Sequence, residues 1–299
     1  MNKKRKAALV GCSDPLDGSR KDEVVRLTQI LSEEGLQVEI SPLLFDEDGT
    51  AYKSGRDKAE VVNTFFRDPE MAFIFDISGG DLANSVLPYL DYDAIRKSRA
   101  LFFGFSDLTT VINAIIAKTG RPAVNYQVRN LLRDQDGQLL EYFRTEILTM
   151  PGLMGKETAM PLEIHFLRGT SMEGKILGGN VRCFLKLSGT PYLPDTEGAI
   201  LLLEAYGGGV NQMMTALNQY QQLGILDRIR GVLLGTFTYM EKNHVSPAMR
   251  DMVLEMLPDV IPVAETRYVG HGKDARGIVL GQYTSIYMMP GSKGFCPRL

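Results

Sequence analysis

The first 125 or so residues alternate short apolar runs with helix-patterned stretches, and that alternation restricts the fold more than any other feature of the chain. Ala7 to Gly11 reads as a strand. Lys21 to Leu31 places Val24, Val25, Leu27, Ile30 and Leu31 near helical spacing and stops before Gly35, a residue suited to ending a helix. Leu36 to Ile40 reads as a second strand, Lys58 to Phe66 as a helix, and Met71 to Ile77 as a third strand ending in Ser78-Gly79-Gly80. Ala100 to Phe105 is another strand, followed by a helix with Leu108, Val111, Ile112, Ile115 and Ile116 on one stripe, ending at Gly120. Strands alternating with helices imply βαβ units and a mostly parallel sheet. Such a sheet carries its working residues at the carboxyl ends of its strands.

After Tyr126 the pattern changes. Asn130 to Gln138 is charged and contains glycine, and Met150 to Glu157 is a second loop-like stretch. Short strand-like runs follow at Glu163 to Leu167, Ala199 to Glu204, Gly231 to Phe237 and Gly277 to Leu280. Gly178-Gly179-Asn180 and Gly207-Gly208-Gly209 read as turns between them, and one helix around Gln212 to Leu223 ends at Gly224. The expected organisation is an N-terminal α/β domain over 1–128, an interdomain connection over 129–162 and a strand-rich C-terminal domain over 163–299. No internal repeat or low-complexity segment is visible.

Composition narrows the function classes. With 44% hydrophobic and 23% charged residues in 299, the chain has the make-up of a globular protein. The 33 basic and 36 acidic residues nearly cancel, so no overall field recruits nucleic acid or an anionic membrane. The longest apolar runs, such as Ala199 to Leu203, fall far short of the roughly 20 residues that span a bilayer. Lys3-Lys4-Arg5-Lys6 before Cys12 mimics an export signal, but Ala7 to Gly11 is shorter than the about 7–15 apolar residues such a signal needs. A buried first strand accounts for the same residues. Cys12, Cys183 and Cys296 are far apart and odd in number, which suits a reducing compartment, and a cytoplasmic location is expected.

Ser106 stands where the strand ending at Phe105 turns into the helix of Leu108 to Ile116. On such a sharp turn its hydroxyl is pushed out at the top of the sheet, and the backbone N–H of Asp107 points at any oxyanion formed there. Leu108 occupies the position of the second glycine of a nucleophile elbow, and from this segment alone a plain helix cap is the favoured reading of Ser106. Ser78-Gly79-Gly80-Asp81 offers a second donor, because glycines let backbone N–H groups approach a ligand; an ordinary βα turn is the alternative. Of three histidines, His165 lies in a strand and His244 in a polar loop. His271, between Gly270 and Gly272, is free to present its ring as a base. Glu204 ends the most hydrophobic strand, where a carboxylate is costly unless paired or facing a site. No metal is expected: H-E-x-x-H is absent and the histidines are 27 or more residues apart. Cys12, at the end of the first strand, reads as a buried structural thiol.

In this order, Ser106, Glu204 and His271 and the text around them resemble the serine LD-carboxypeptidase family, which holds muramoyltetrapeptide carboxypeptidases and microcin C immunity proteins. The segments that carry the resemblance are Gly79-Gly80, Asn84 to Asp93, Gly104-Phe105-Ser106-Asp107, Gly178-Gly179-Asn180, Gly189 to Asp195, Leu201 to Glu204, Leu226 to Ile229 with Gly231 to Phe237, and Gly270-His271-Gly272. The resemblance implies an N-terminal doubly wound, Rossmann- or flavodoxin-like domain and a C-terminal strand-rich, swivelling, β-barrel-like domain, often in a homodimer. It also implies a triad in which Ser106 attacks, His271 moves the proton and Glu204 orients His271. The N–H groups of Asp81 and Asp107 would hold the oxyanion, with Gly80 shaping the turn. No cofactor and no metal are implied.

Two segments depart from the family pattern. Ser78-Gly79-Gly80-Asp81-Leu82 stands where the carboxypeptidase branch commonly has Arg-Gly-Gly-Tyr-Gly, and Ala205-Tyr206-Gly207-Gly208-Gly209 is also unlike the usual run. Asn84-Ser85 leans toward the microcin C branch, whose members can stack a nucleobase on tryptophan, and this chain has 0 tryptophans; Tyr or Phe is a substitute. The leading expectation is a serine peptidase that hydrolyses an L,D-peptide bond, releasing terminal D-alanine from a muropeptide. The alternatives are an immunity amidase acting on peptidyl- or aminoacyl-nucleotides, a non-catalytic muropeptide- or nucleotide-binding module, and an α/β-hydrolase esterase. Arg20, Arg56, Arg121, Arg129 and Arg182 are open candidates for binding the substrate carboxylate.

Overall fold

The structure is a computed structural model that describes residues 5–46, 53–150 and 162–288. Lys3, Lys4, Cys296 and the part of the Met150–Glu157 stretch after Met150 lie outside the described residues.

Five strands of the first sheet run parallel: β1 (Arg5–Val10), β3 (Leu36–Ile40), β5 (Met71–Asp76), β6 (Leu101–Gly104) and β7 (Ala123–Asn125); β2 (Leu16–Asp17) and β4 (Phe45–Asp46) pair separately. Their spatial order, β7-β6-β5-β1-β3, is the 2-1-3-4-5 arrangement of a doubly wound sheet. Its crevice opens where the order reverses, between the carboxyl ends of β1 and β5. Helices α1 (Lys21–Glu33), α2 (Gly55–Arg67), α3 (Tyr92–Lys97) and α4 (Thr109–Thr119) follow the strands, as the periodicity requires.

The second sheet contains β8 (His165–Arg168), β9 (Ser171–Asn180), β10 (Ile200–Ala205), β11 (Gly231–Phe237), β12 (Val263–Glu265) and β14 (Tyr283–Tyr287), in the order β14-β9-β10-β11-β12-β8. Its four inner strands are parallel and both edges antiparallel. The chain is thus α/β, with a parallel-rich first sheet and a strand-rich second half. Among the described residues no helix is long and apolar enough to cross a membrane.

Three expectations change. Gly178-Gly179-Asn180 is not a turn but the end of β9. These glycines mark close approach: a Cβ on Gly179 would sit 2.7 Å from the Thr109 hydroxyl, and one on Gly178 2.3 Å from the Leu202 carbonyl oxygen. The Gly277–Leu280 run, expected among the downstream strands, yields β13 (Ile278–Leu280), which pairs antiparallel with β7 and completes the first sheet. Residues 129–150 are not an open connection. They form a tight turn (Val128–Arg133), a helix (Gln138–Tyr142) and a wide turn (Phe143–Ile147). Leu131, Tyr142, Phe143 and Ile147 are buried with Phe73, Phe75 and Phe103 against one face of the sheet. The charged residues that suggested a loop, Arg133 and Asp136, lie on its exposed side.

α4 joins the halves. Every residue from Thr109 to Ile116 is buried. Asn113 both donates to the Gly178 carbonyl (2.8 Å) and accepts from the Gly178 N–H (3.1 Å), and the Thr109 hydroxyl accepts from the Asn180 N–H (3.0 Å). The helix that begins beside Ser106 is therefore pinned to the strand that ends at Asn180.

Candidate active site

The end of β6 creates the strained residue of the site. Phe105 is extended (φ −154°), and Ser106 then takes a φ of +60°, a left-handed conformation rare for a side-chain-bearing residue and costing on the order of 1–2 kcal/mol. The chain closes this turn with a hydrogen bond from the Leu108 N–H to the Phe105 carbonyl (3.2 Å).

The buried Asp107 carboxylate holds the turn from beneath. One oxygen accepts from the Ser13 hydroxyl (2.6 Å) and the Ala83 N–H (2.8 Å), and the other from Lys186 (2.5 Å). One carboxylate thus ties the loops after β1, β5 and β6 to a residue just past the helix Val181–Leu185.

Glu204, on β10, is fully buried. Parallel register places Asn180 beside it, and the Asn180 amide donates to Glu204 Oε1 (3.1 Å). Glu204 Oε2 lies 2.8 Å from His271 Nδ1. An ionised carboxylate only accepts, and an imidazole that donates to it from Nδ1 turns Nε2 toward Ser106. That nitrogen lies 3.3 Å from Ser106 Oγ. The loop carrying His271 is fastened to β11 by the Thr236 N–H, which donates to the Val269 carbonyl (2.8 Å). Phe105 and Tyr206 flank the imidazole, with ring centroids 4.5 and 5.0 Å away.

The three residues singled out in the sequence therefore meet in one hydrogen-bonded row from two sheets. Such a row can transfer the Ser106 proton to His271 while Glu204 stabilises the resulting imidazolium. His165 and His244 are both exposed, and neither lines the cavities beside Ser106. Among the described residues no three His, Cys, Asp or Glu side chains converge in a metal-binding arrangement. Cys12 is fully buried, and burial, with Asp76 nearby, pushes its thiol well above the ordinary range, away from nucleophilic behaviour.

Of the expected oxyanion donors, the Asp81 N–H is already used. It donates to Asp14 Oδ1 (3.1 Å), which also accepts from the Leu82 N–H (3.2 Å). Gly80, at φ +128°, makes this possible, since a Cβ there would lie 2.1 Å from the Asp14 carboxylate.

Ser106 and His271 form the wall between two cavities. The larger, about 900 Å³, is bounded by Gly80, Leu185, Tyr206, Met213 and Ala216 among others. The smaller, about 330 Å³, contains Arg20, Arg26, Arg129 and Arg133. Sequence reasoning gave no role to Asn180 or Lys186 and did not foresee the carboxylate role of Asp107. The Gly178-Gly179-Asn180 text contained a signal for Asn180, but only strand register puts it beside Glu204.

The profile of the LD-carboxypeptidase N-terminal domain matches residues 7–126, and that of the LD-carboxypeptidase C-terminal domain matches residues 173–286. A probable murein peptide carboxypeptidase of Bacillus subtilis is 25% identical over 295 residues, covering 97% of this chain and 88% of the relative. The microcin C7 self-immunity protein MccF of Escherichia coli is 25% identical over 253 residues, covering 75% and 73%. Among solved structures, a muramoyltetrapeptide carboxypeptidase from Oxalobacter formigenes superposes with a TM-score of 0.80 at 20% identity, covering 98% and 97% of the two chains. MccF in complex with aspartyl sulfamoyl adenosine superposes with a TM-score of 0.84 at 18% identity, covering 100% and 96%, so the fold is shared with both. With both domain profiles matched in order across most of its length, the chain belongs to the LD-carboxypeptidase family, a family of peptidases.

Proposed function

We propose that this chain is a serine-type L,D-carboxypeptidase that removes a terminal D-amino acid from a muropeptide. The observation that carries the reading is the row Ser106–His271–Glu204, set in a wall between two cavities, so that a peptide bond can lie across the nucleophile. Ser106 Oγ attacks the scissile carbonyl carbon as its proton passes to His271 Nε2. The charge formed on the imidazole faces Glu204. We assign the oxyanion to the Asp107 N–H at the start of the turn and to the Gly80 N–H on the facing loop. Collapse of the tetrahedral species returns the proton to the leaving amine and leaves an ester on Ser106. Water, deprotonated by the same imidazole, then hydrolyses that ester.

A second reading is favoured by Tyr206. Tyr206 is 64% exposed and lines the larger cavity, a position from which it can stack on a planar base. In that reading the same triad cleaves an aminoacyl-nucleotide. The intact row speaks against a purely binding role.

The test is mass spectrometry of products from a disaccharide-tetrapeptide incubated with wild type and with Ser106→Ala. Release of one D-alanine by wild type, with about a million-fold less turnover in the variant, is the expected result. Release by both proteins overturns the assignment of Ser106. Release by neither, with cleavage of an aminoacyl-sulfamoyl adenosine by wild type, decides for the second reading.

A further inference from the structure

We propose that the smaller cavity is the seat of the substrate's terminal α-carboxylate, and that Arg129 is the residue that reads it; this rests on the carboxypeptidase reading above. In a C-terminal residue the carboxylate carbon lies three bonds beyond the scissile carbonyl carbon, within about 4 Å. Whatever binds it must share a cavity with the nucleophile. The smaller cavity does so: Ser106 and His271 form part of its lining, together with Arg20, Arg26, Arg129, Arg133 and a single acid, Glu23. Glu23 is already engaged by Arg20 through two nitrogens, at 2.6 and 3.1 Å. The cavity therefore holds an excess of positive charge.

Among the described residues Arg129 is the arginine of this cavity with a buried, unmatched nitrogen. Its Nη1 is buried and has no hydrogen-bond partner among the described residues. A buried charged donor left unmatched is costly, and a carboxylate matches the guanidinium fork in both charge and shape. Burial, and after it the charge of Arg20, pull the Arg129 guanidinium down to about 10. The arginines named from the sequence that lie outside this cavity are committed elsewhere. Arg121 donates to the carbonyls of Ile95 and Ala100, Arg56 lies over the Tyr89 ring, and Arg182 pairs with Asp81 on the side of the larger cavity. The leaving D-amino acid thus belongs in the arginine cavity and the acyl portion of the stem in the larger one.

Binding and turnover are read separately to test this. Calorimetry with the inert Ser106→Ala protein compares a muramyl tetrapeptide ending in D-alanine with the same peptide ending in D-alaninamide. The acid is expected to bind at least about tenfold more tightly, as for a charge-assisted pair. That preference should fall to near unity when Arg129→Met is added, and Arg129→Lys should retain part of it. Inhibition of wild type by free D-alanine but not by D-alaninamide reads the same contact with no substitution at all. Equal binding of acid and amide, or a preference that survives Arg129→Met in a protein that still unfolds in one cooperative transition, overturns the assignment. A wild type that cleaves acid and amide peptides alike keeps its proposed function and loses the arginine site. One that binds the acid through Arg129 but cleaves only aminoacyl-nucleotides keeps the arginine site and loses the carboxypeptidase reading.

Discussion

Asp107 and Glu204 are both fully buried, both lie at the site, and are held in opposite ways. Asp107, in the turn after β6, is neutralised by Lys186 and filled by donors from Ser13 and Ala83. Glu204, on β10, has the neutral amide of Asn180 on one oxygen and the imidazole of His271 on the other. Among the described residues His271 is its only ion-pair partner. The difference separates two uses of a buried carboxylate. The charge of Asp107 is spent on the ground state, where it fixes a strained turn. In the proposed mechanism the charge of Glu204 is left short of a cation until His271 takes up the Ser106 proton.

Substituting the two carboxylates should break the comparison cleanly. Glu204→Gln keeps the shape and removes the charge, and turnover is expected to fall by about 10⁴-fold with a nearly unchanged melting temperature. A large loss of stability instead would show that Glu204 is used as Asp107 is. Asp107→Asn leaves Lys186 without its buried partner, and denaturant unfolding should show a loss of about 3 kcal/mol. Asn180→Ala frees one oxygen of Glu204. The expected change is roughly tenfold in kcat, with about 1 kcal/mol in stability and little effect on KM.

The smallest effect concerns Arg129. Its folded-state pKa lies below the ordinary value of 12.5, so the native state binds this proton less tightly than the unfolded chain does. Holding the charge therefore costs stability at neutral pH, and the cost is relieved as pH rises through about 10. Arg129→Met should stabilise the protein at pH 7, on the order of 1 kcal/mol, read by thermal melting. In wild type, affinity for a carboxylate-ended peptide should weaken as pH rises through about 10.

Local pattern revealed the pieces of this site, but not what holds them. β3 and β11 match the sequence reading end to end, because apolar runs bounded by glycine and polar residues are local signals. Ser106 was legible as the residue between a strand and a helix, and His271 by its two glycines. Asn180 and Lys186 escaped because their partners lie 24 and 79 residues away in sequence, a distance only strand order can close. The segment 129–150 misled for another reason: its apolar residues face the sheet while its charges face water, and a charge-dense stretch reads as a loop when the buried side is short. The strand Ile278–Leu280 was seen as a strand, yet nothing in its own residues says which sheet it joins.

That strand makes the two halves inseparable. A fragment ending at residue 128 would strip β7 of its antiparallel neighbour and expose a hydrophobic edge, and would also lose the layer formed by Tyr142, Phe143 and Ile147. Any rotation of the second sheet must leave Ile278–Leu280 behind in the first. The turning has to be absorbed on either side of that strand, with Gly281 at φ +83° as the joint between it and β14.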